Sequence, residues 1–401
     1  MKQIDGGITT VPGIQAAGIH AGIKKAELKD LALIVTDAPA AAAGVFTKNS
    51  VTAAPVLVCR QHLSDSVAQA IIINSGNANA CTGELGMSNA QRMASTTAEQ
   101  LGIDENLVLV SSTGVIGQQL PMDKIENGIQ LAANALSTEG GAKAAEAIMT
   151  TDTHPKSAAV EMEIDGKAVR IGGIAKGSGM IAPNMATMLS YLTTDVRINS
   201  GTLQSALTHV VDNTYNLLTV DTDRSTNDTV IILATANAEN TKIVEAKGTH
   251  YEAFCEGLQF VCTELVKMLA RDGEGATKLV EVVVKHAKNR SDAEKAARAV
   301  AESPLVKTAV FANDANWGRI MMAIGKSGAE FDAYQVDVLL ADYPLVKNGM
   351  DAGYDEEKAT QLFDNDPVRI TIDLRAGDTE ITMWTCDYSY DYIRINADYR
   401  T

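Results

Sequence analysis

Short apolar runs alternate with Ala-rich stretches through the first half of this 401-residue chain, and this alternation limits its fold more than any other feature. Runs of Val, Ile and Leu predict strands, whereas longer stretches with apolar residues on one face predict helices. The predicted strands are LALIVTD (31–37), PVLVCR (55–60), AIIINSG (70–76) and LVLVSSTG (107–114), and the predicted helices cover 88–101 and 122–136. We therefore expect a layered α/β (α+β) fold.

The rest of the chain continues this pattern and then changes texture. The alternating segment 158–174 predicts a hairpin that turns at Asp165-Gly166. Helices are predicted at 200–217 and 250–271, with a strand at 229–235 between them. From about residue 278 come KLVEVVVKHA, the charged helix SDAEKAARAVAES, and strands around QVDVLLADY, PVRITIDLR and TEITMWTCDYSYDYIRIN. We predict a core domain over 1–280 and a smaller C-terminal α/β domain over 281–401.

Charge and composition exclude several classes of function. The chain has 34 basic and 50 acidic residues and a net charge of -16, with no dense basic patch, so we expect no nucleic-acid partner. The 5 cysteines are scattered and have no C-x-x-C spacing, which predicts neither disulfides nor a zinc site. Neither a signal peptide nor an apolar run long enough for a membrane span is found. We therefore expect a cytoplasmic protein with no membrane partner.

Some stretches of the sequence resemble phosphate-binding or calcium-binding loops but lack residues that those loops require. The Gly-rich stretch 318–328 lacks the spacing of a phosphate-binding loop, because Ile320 stands where that motif needs glycine. The stretch 171–180 has neither a G-x-G-x-x-G register nor a Lys-Ser/Thr pair. The stretch VDTDRSTND (220–228) begins like a calcium loop, but Thr226 replaces the turn glycine and Ile232 replaces the bidentate glutamate. The histidines have no metal-binding spacing. We predict no metal site and no organic cofactor.

The segment MIAPNMATMLSYLTTD (180–195) carries the sharpest chemical signal. Thr187 could simply begin an element that continues through Met188 and Leu189. Alternatively, Thr187 is a nucleophile whose own α-amine serves as the base, which requires cleavage after Ala186. In that chemistry the Thr187 hydroxyl attacks the preceding carbonyl, an ester forms by an N-to-O shift, and water frees the new N-terminus. No histidine is an obvious base, and this favours the second interpretation.

Several motifs, in order, resemble the ornithine acetyltransferase family of arginine biosynthesis, also described as glutamate N-acetyltransferases. The resemblance extends over essentially the whole chain. The motifs are GGIAKGSGMIAPNMATMLSYLTTD, NSGNANACTG (74–83), SSTGVIG (111–117), MTTDTHPK (149–156), RDGEGATK (271–278), NWGRI (316–320) and the ending INADYRT. The resemblance implies an αββα sandwich like that of N-terminal-nucleophile hydrolases, with a smaller second domain. One departure is Thr222, where the family often has glycine.

The resemblance also implies a role for individual residues. Thr187 would be the nucleophile and the first residue of a β chain (187–401), and 1–186 would be the α chain. Thr113 and Gly114 would form the oxyanion hole. The implied substrate contacts are Thr150, Lys176, Thr187, Glu274, Asn396 and Thr401. Two α and two β chains would assemble into a heterotetramer.

We therefore expect a self-processing acetyltransferase that moves the acetyl group of N2-acetyl-L-ornithine to L-glutamate by a ping-pong mechanism. Acetyl-CoA is a further possible donor, which the sequence leaves open. One alternative is an amidohydrolase or aminopeptidase of the same nucleophile type, in which water replaces glutamate. Another is an uncleaved binding or regulatory protein in which Thr187 is buried and inert.

Overall fold

The structure, a computed structural model, describes residues 1–24, 27–181 and 188–398. The chain divides into two compact units. The first contains 1–216 and 223–269, and the second contains 217–222 and the chain from Ala270 onward. The domain boundary near residue 280 remains a prediction of the sequence.

The first unit is built on strands that all belong to one hydrogen-bonded sheet. In spatial order the strands are β1-β6-β7-β8-β9-β3-β4-β5, and β2 pairs with β3. The strands are β1 (Lys2–Ile4), β2 (Ile14–Ile19), β3 (Leu31–Phe46), β4 (Val67–Asn77), β5 (Val108–Val115), β6 (Lys156–Ile164), β7 (Lys167–Lys176), β8 (Leu189–Thr194) and β9 (Thr229–Ala234). The helices of this unit are α1 (Ala54–His62), α2 (Gly83–Leu101), α3 (Met122–Asn134), α4 (Gly141–Ala147), α5 (Ser200–Asp212) and α6 (Thr249–Arg271), whose last turn reaches the second unit.

The long strand β3 turns this sheet into two layers. Its first part pairs with β4 and its last part with β9, and the register shifts between Val35 and Ala40. Successive residues of a strand face opposite sides. Ile71 and Ile73 of β4 therefore pack in one buried cluster with Tyr191 of β8, whereas Ile72 packs with the helices α1, α2 and α3. The sheets thus enclose one core and carry a helical layer outside it.

The second helical layer lies on the outer face of β7 and β8. A Cβ atom added to Gly173 would meet Leu192 at 2.7 Å and Leu265 of α6 at 2.9 Å, so α6 packs closely over these strands. With helices outside both sheet layers, the first unit is an αββα sandwich. The predicted fold class is confirmed.

Most predicted elements of this unit are confirmed, and one is wrong. The hairpin of β6 and β7 turns at Asp165 and Gly166, which have φ +55° and +70°, as a two-residue hairpin turn requires. PVLVCR (55–60), predicted as a strand, lies in helix α1. A short apolar run does not separate a strand from a buried helix turn, and Pro55 is favoured in the first turn of a helix, where no amide hydrogen bond is lost.

The second unit has its own sheet, in the order β13-β12-β11-β14-β10-β15. Its central strands, β10 and β14, are parallel and bury Val, Ile and Leu side chains on the sheet. The elements are β10 (Leu279–Ala287), α7 (Arg290–Ala301), α8 (Pro304–Phe311), α9 (Trp317–Gly325), β11 (Asp337–Leu340), β12 (Tyr343–Lys347), β13 (Met350–Asp351), α10 (Glu356–Gln361), β14 (Val368–Asp373), β15 (Thr379–Cys386) and α11 (Tyr390–Asp398).

The last predicted strand is only half correct. Strand β15 ends at Cys386, and YDYIRINAD forms helix α11 rather than continuing the sheet. Asp387 accepts the backbone N–H groups of Thr277 and Lys278, which turns the chain away from β15. Ser389 then accepts the N–H of Asp391 at 3.1 Å and so begins the helix as a cap. Across the described residues, no helix is both long and apolar enough to cross a membrane.

Candidate active site

Two strand ends and one connecting loop position the predicted polar residues of the first unit. Lys176 is the last residue of β7 and lies opposite Leu189, the first residue of β8. Thr113 lies near the end of β5, opposite Ser75 of the parallel strand β4. Thr150 follows helix α4, in the connection to β6. The hydrogen bonds between strands stop at a strand end. Side chains and backbone groups there can therefore contact a substrate.

Lys176 brings the three predicted residues together. Its ammonium donates to the Thr150 hydroxyl at 2.8 Å and to the Thr113 hydroxyl at 3.5 Å. The Lys176 side chain is 6% exposed, so its charge acts in a poorly hydrated environment, where Coulomb attraction is stronger. Because both threonine oxygens accept from Lys176, their own hydroxyl protons can point to other acceptors. A cation next to two hydroxyl donors suits a carboxylate or a developing oxyanion.

A buried carboxylate that the sequence argument missed keeps Lys176 in place. Asp152 lies 3.9 Å from Lys176 and 2.7 Å from Lys156, and the side chains of Asp152 and Lys156 are completely buried. Burial acts to raise the pKa of Asp152, but the charges of Lys176 and Lys156 hold it well below its usual range. Asp152 also accepts the N–H groups of Thr150 at 3.0 Å and Gly177 at 2.6 Å. The signal was present in MTTDTHPK, where Asp152 and Lys156 are four residues apart.

Gly114 has a backbone that only glycine adopts easily. Its φ is +131°, and an added Cβ would lie 2.3 Å from the backbone carbon of Gly76 and 2.5 Å from the nitrogen of Asn77. These neighbours belong to the parallel strand β4, so they cannot move independently of the sheet. The close approach fixes the direction of the peptide groups around Gly114, as an oxyanion hole requires.

A second cation, Lys24, also lies in this part of the unit. Its ammonium donates to the carbonyl of Lys29 at 2.9 Å and to that of Met149, next to Thr150, at 2.7 Å. Burial lowers the pKa of Lys24 to about 8, and the charge of Lys176 acts in the same direction. The sequence argument did not single out Lys24, because a depressed pKa depends on surroundings that one lysine in a chain does not reveal.

Glu274 and Asn396 meet within the second unit. The Asn396 amide donates to the Glu274 carboxylate at 2.9 Å, and Glu274 is 8% exposed. Helix α11, which carries Asn396, is tied to the loop of Glu274, since Ser389 donates to the carbonyl of Gly275. An added Cβ at Gly275, whose φ is +69°, would lie 2.5 Å from the backbone nitrogen of Tyr392. The predicted pair is therefore assembled by close backbone packing.

Three predicted residues lie outside the described residues: Ala186 and Thr187 of the cleavage site, and Thr401 at the end of the chain. Met188, which follows Thr187, is described and leads directly into β8. Among the described residues, no group of three or more His, Cys, Asp or Glu side chains could hold a metal ion. The absence of a metal or organic cofactor remains a prediction.

The αββα sandwich of the first unit, with a buried cation that contacts two threonine hydroxyls, defines an α/β protein with a polar candidate site. The chain belongs to the ArgJ family, whose model matches residues 15–401.

Similar proteins carry the same family name. The chain is 52% identical to the arginine biosynthesis bifunctional protein ArgJ of Symbiobacterium thermophilum and 49% identical to that of Caldanaerobacter subterraneus, and each comparison covers 100% of both chains. It is also similar to the crystal structure of the ArgJ protein of Bacillus halodurans. That match has 44% identity and a TM-score of 0.52, and it covers 53% of this chain and 100% of that chain. The resemblance noted in the sequence is confirmed.

Proposed function

We propose that the chain is a self-processing acetyltransferase that transfers the acetyl group of N2-acetyl-L-ornithine to L-glutamate through an acetyl ester on Thr187. The observation that carries this proposal is the convergence of Lys176 on the hydroxyls of Thr113 and Thr150. This cluster suits acyl transfer, because it offers donors to an oxyanion and a fixed charge to a substrate carboxylate. Membership of the ArgJ family supports the same reaction class.

In the first half-reaction, the Thr187 hydroxyl attacks the acetyl carbonyl and its α-amine takes the hydroxyl proton. Negative charge develops on the carbonyl oxygen of the tetrahedral intermediate. Thr113 and Gly114 would donate hydrogen bonds to that oxygen, and Lys176 would add a fixed positive charge nearby. The intermediate collapses with loss of ornithine, whose departing nitrogen takes up the proton held by the α-amine. Thr187 retains the acetyl group as an ester.

In the second half-reaction, the neutral amine of glutamate attacks the ester, and the same donors stabilise the second intermediate. The α-amine takes the proton that the attacking nitrogen loses and passes it to the Thr187 oxygen as that oxygen leaves. The two substrates share an α-carboxylate, which suits Lys176. They differ at the side chain. The family resemblance implies that Glu274, which accepts the Asn396 amide at 2.9 Å, contacts the substrate, and its charge would suit the ammonium of ornithine.

The decisive experiment combines intact mass with a product assay. Active protein is expected as two fragments that end at Ala186 and begin at Thr187, whereas Thr187→Ala is expected as one chain of 42.5 kDa without transferase activity. With acetylornithine alone, the enzyme should form acetyl-enzyme and one equivalent of ornithine. With glutamate added, it should form N-acetylglutamate. Transferase activity in protein with an unbroken Ala186–Thr187 bond contradicts the proposal.

The same assay tests the alternatives. Acetate as the main product in the presence of glutamate identifies an amidohydrolase. An intact chain without turnover identifies an inert binding protein. N-acetylglutamate formed from acetyl-CoA and glutamate alone identifies the additional synthase activity, and full activity after dialysis against a chelator supports a reaction without a metal.

Assembly and location are part of the same proposal. We expect two α and two β chains per particle, because each cleavage yields one chain of each kind and the family resemblance implies a dimer of cleaved protomers. Light scattering of the purified enzyme measures this directly. A cytoplasmic location stays a prediction, which cell fractionation tests.

A further inference from the structure

Asp228 is fixed beside the residue that follows Thr187 in the chain. Strands β8 and β9 are parallel and begin level with each other, with Leu189 opposite Thr229. The residues just before them, Met188 and Asp228, are consequently neighbours. One carboxyl oxygen of Asp228, Oδ1, accepts the backbone N–H of Met188 at 2.8 Å, and the N–H of Thr229 donates to the Met188 carbonyl at 3.2 Å. The Asp228 carboxyl therefore accepts the N–H of the residue that directly follows the proposed nucleophile in the chain.

The other oxygen, Oδ2, is buried and has no hydrogen-bond partner among the residues that the structure describes. The hydroxyl proton of the nearby Thr47 is used by the carbonyl of Ser225, at 2.8 Å. Burial raises the pKa of Asp228 well above its usual range, although the Met188 amide, Thr47 and the charge of Lys176 act to lower it. Burial without a described partner for Oδ2 thus favours the protonated form of this carboxyl group, and the protonated form can donate a proton.

We propose that Asp228 is the proton donor of the self-cleavage at Thr187, an assignment that rests on the processing proposed above. In the N-to-O shift, a bond forms between the Thr187 hydroxyl oxygen and the Ala186 carbonyl carbon, and the bond from that carbon to the Thr187 nitrogen breaks. The departing nitrogen must take up a proton, because an amide anion is too basic to leave. Asp228 supplies this proton, and the proton released by the hydroxyl restores the carboxyl group. The net change is one proton moved from oxygen to nitrogen.

The other buried carboxyl group near Lys176 is not suited to this role. Asp152 is held ionised by Lys176 and Lys156, with a pKa well below its usual range, so it has no proton to give. Its oxygens are also occupied by the N–H groups of Thr150 and Gly177 and by the Lys156 ammonium. The division of labour between an ionised and a neutral carboxyl follows the pattern of acid and base pairs in enzymes.

The test is the rate of self-cleavage of the full chain, followed by intact mass in Asp228→Asn. The amide can still accept the Met188 N–H but has no acidic proton, so we expect cleavage to slow by at least about 100-fold, the lower range for loss of a general acid. Asp195→Asn is the matched control. Asp195 is also buried, accepts the N–H of Arg170 at 2.7 Å and has a raised pKa, but it is not next to Met188, so its variant should be cut at the wild-type rate.

Hydroxylamine identifies the step that is blocked, because it cleaves an ester at neutral pH but not an amide. Asp228→Asn should remain intact in hydroxylamine, since without the donor no ester forms. Rapid release of both fragments would show that the shift proceeds without Asp228, and this overturns the assignment. Cleavage of Asp228→Asn within threefold of the wild-type rate overturns it as well.

If the melting temperature shows that Asp228→Asn is unfolded, the pair Asp228→Glu and Asp228→Gln replaces it. These two side chains have the same length and differ in the acidic proton. Cleavage at least 10-fold faster in the glutamate variant supports the proposal, and equal rates overturn it. A different result tests the proposed function itself: transferase activity in wild-type protein that is not cleaved before Thr187 would contradict it.

Discussion

The ammonium of Lys156 and the carboxylate of Asp152 form an ion pair of 2.7 Å in which neither side chain is exposed to solvent. A second cation lies close to this pair, because the Lys176 ammonium is 3.9 Å from the Asp152 carboxylate. Lys156 and Lys176 together thus hold Asp152 ionised, and Lys156 is the nearer of the two cations. The pair connects the stability of the fold with the electrostatics of the candidate site.

Removal of Lys156 is expected to reduce both the stability of the fold and the binding of substrates at the candidate site. Lys156→Met should lower the free energy of unfolding by about 3–5 kcal/mol, because the nearest cation left to the buried Asp152 carboxylate is Lys176, at 3.9 Å. The KM values for acetylornithine and glutamate should rise, as Lys176 turns to Asp152. Chemical denaturation and steady-state kinetics measure the two effects. The exposed pair of Lys247 and Glu245, at 2.9 Å, is the control, and Lys247→Met should change stability by less than about 1 kcal/mol.

The depressed pKa of Asp152 adds a pH dependence to this pair. Its ionisation stabilises the fold above the unfolded-state pKa of about 3.9, and this contribution is lost as the pH falls through the lower folded-state pKa. In Lys156→Met the depression is smaller, so the free energy of unfolding that is lost as the pH falls below about 4 should be smaller than in the wild type. An equal loss in both proteins would show that Lys156 does not hold Asp152 ionised.

Gly114→Ala should abolish most activity. The new Cβ would meet backbone atoms of Gly76 and Asn77, and the φ of +131° is unfavourable for alanine. A shift of the β5 terminus would misplace one oxyanion donor, and we expect kcat to fall by about 10²- to 10³-fold. Gly201→Ala is the control, because nothing lies within 4 Å of its added Cβ. Wild-type kcat in folded Gly114→Ala would exclude Gly114 from the oxyanion hole.

Lys24 should make the affinity for glutamate depend on pH. Burial lowers its pKa to about 8, so this lysine loses its positive charge as the pH rises through that value. Lys24→Arg keeps the charge throughout. The ratio of the wild-type KM for glutamate to that of Lys24→Arg should be near one at pH 7 and rise about fivefold by pH 9, as expected for about 1 kcal/mol of Coulomb attraction. A ratio that is constant with pH contradicts a role for the Lys24 charge.

Glu274→Gln should separate the two substrates. The amide keeps a hydrogen-bond acceptor for Asn396 but loses the charge that would attract the side-chain ammonium of ornithine. The KM for acetylornithine should rise by about 10- to 100-fold, as for a charge-assisted hydrogen bond, and the KM for glutamate should change much less. An unchanged KM for acetylornithine refutes the pairing of Glu274 with the ornithine side chain.

Thr222→Gly should stabilise the protein. Thr222 has φ +72°, a conformation that is strained for a β-branched residue and natural for the glycine often found there in the family. Relief of this strain should exceed the extra entropy of glycine in the unfolded chain, so we expect a gain of about 1 kcal/mol in the free energy of unfolding. Glu239, with φ +55°, is unbranched, and Glu239→Gly should gain less. A loss of stability in Thr222→Gly argues against strain at this turn.

Local patterns predicted most of the fold, and their failures have physical causes. The hairpin at Asp165-Gly166 was predictable because turn geometry depends on adjacent residues. The segment 55–60 was mistaken for a strand because a short apolar run suits either a strand or a buried helix, and only packing against the rest of the chain decides between them. Helix α11 was missed because Asp387 and Ser389, which end β15 and begin the helix, bind partners that the pattern does not reveal.

The sequence by itself determined the layered α/β class, the family and the covalent neighbourhood of Thr187, because strand periodicity, turn residues and motif order are properties of neighbours along the chain. Only the tertiary structure decided which charges act together. It brought Lys176 to Thr113, 63 residues away, and Asp228 to Met188, 40 residues away. It also lowered the pKa of Asp152 and raised that of Asp228, because burial and nearby charge set a pKa, and both depend on residues distant in sequence.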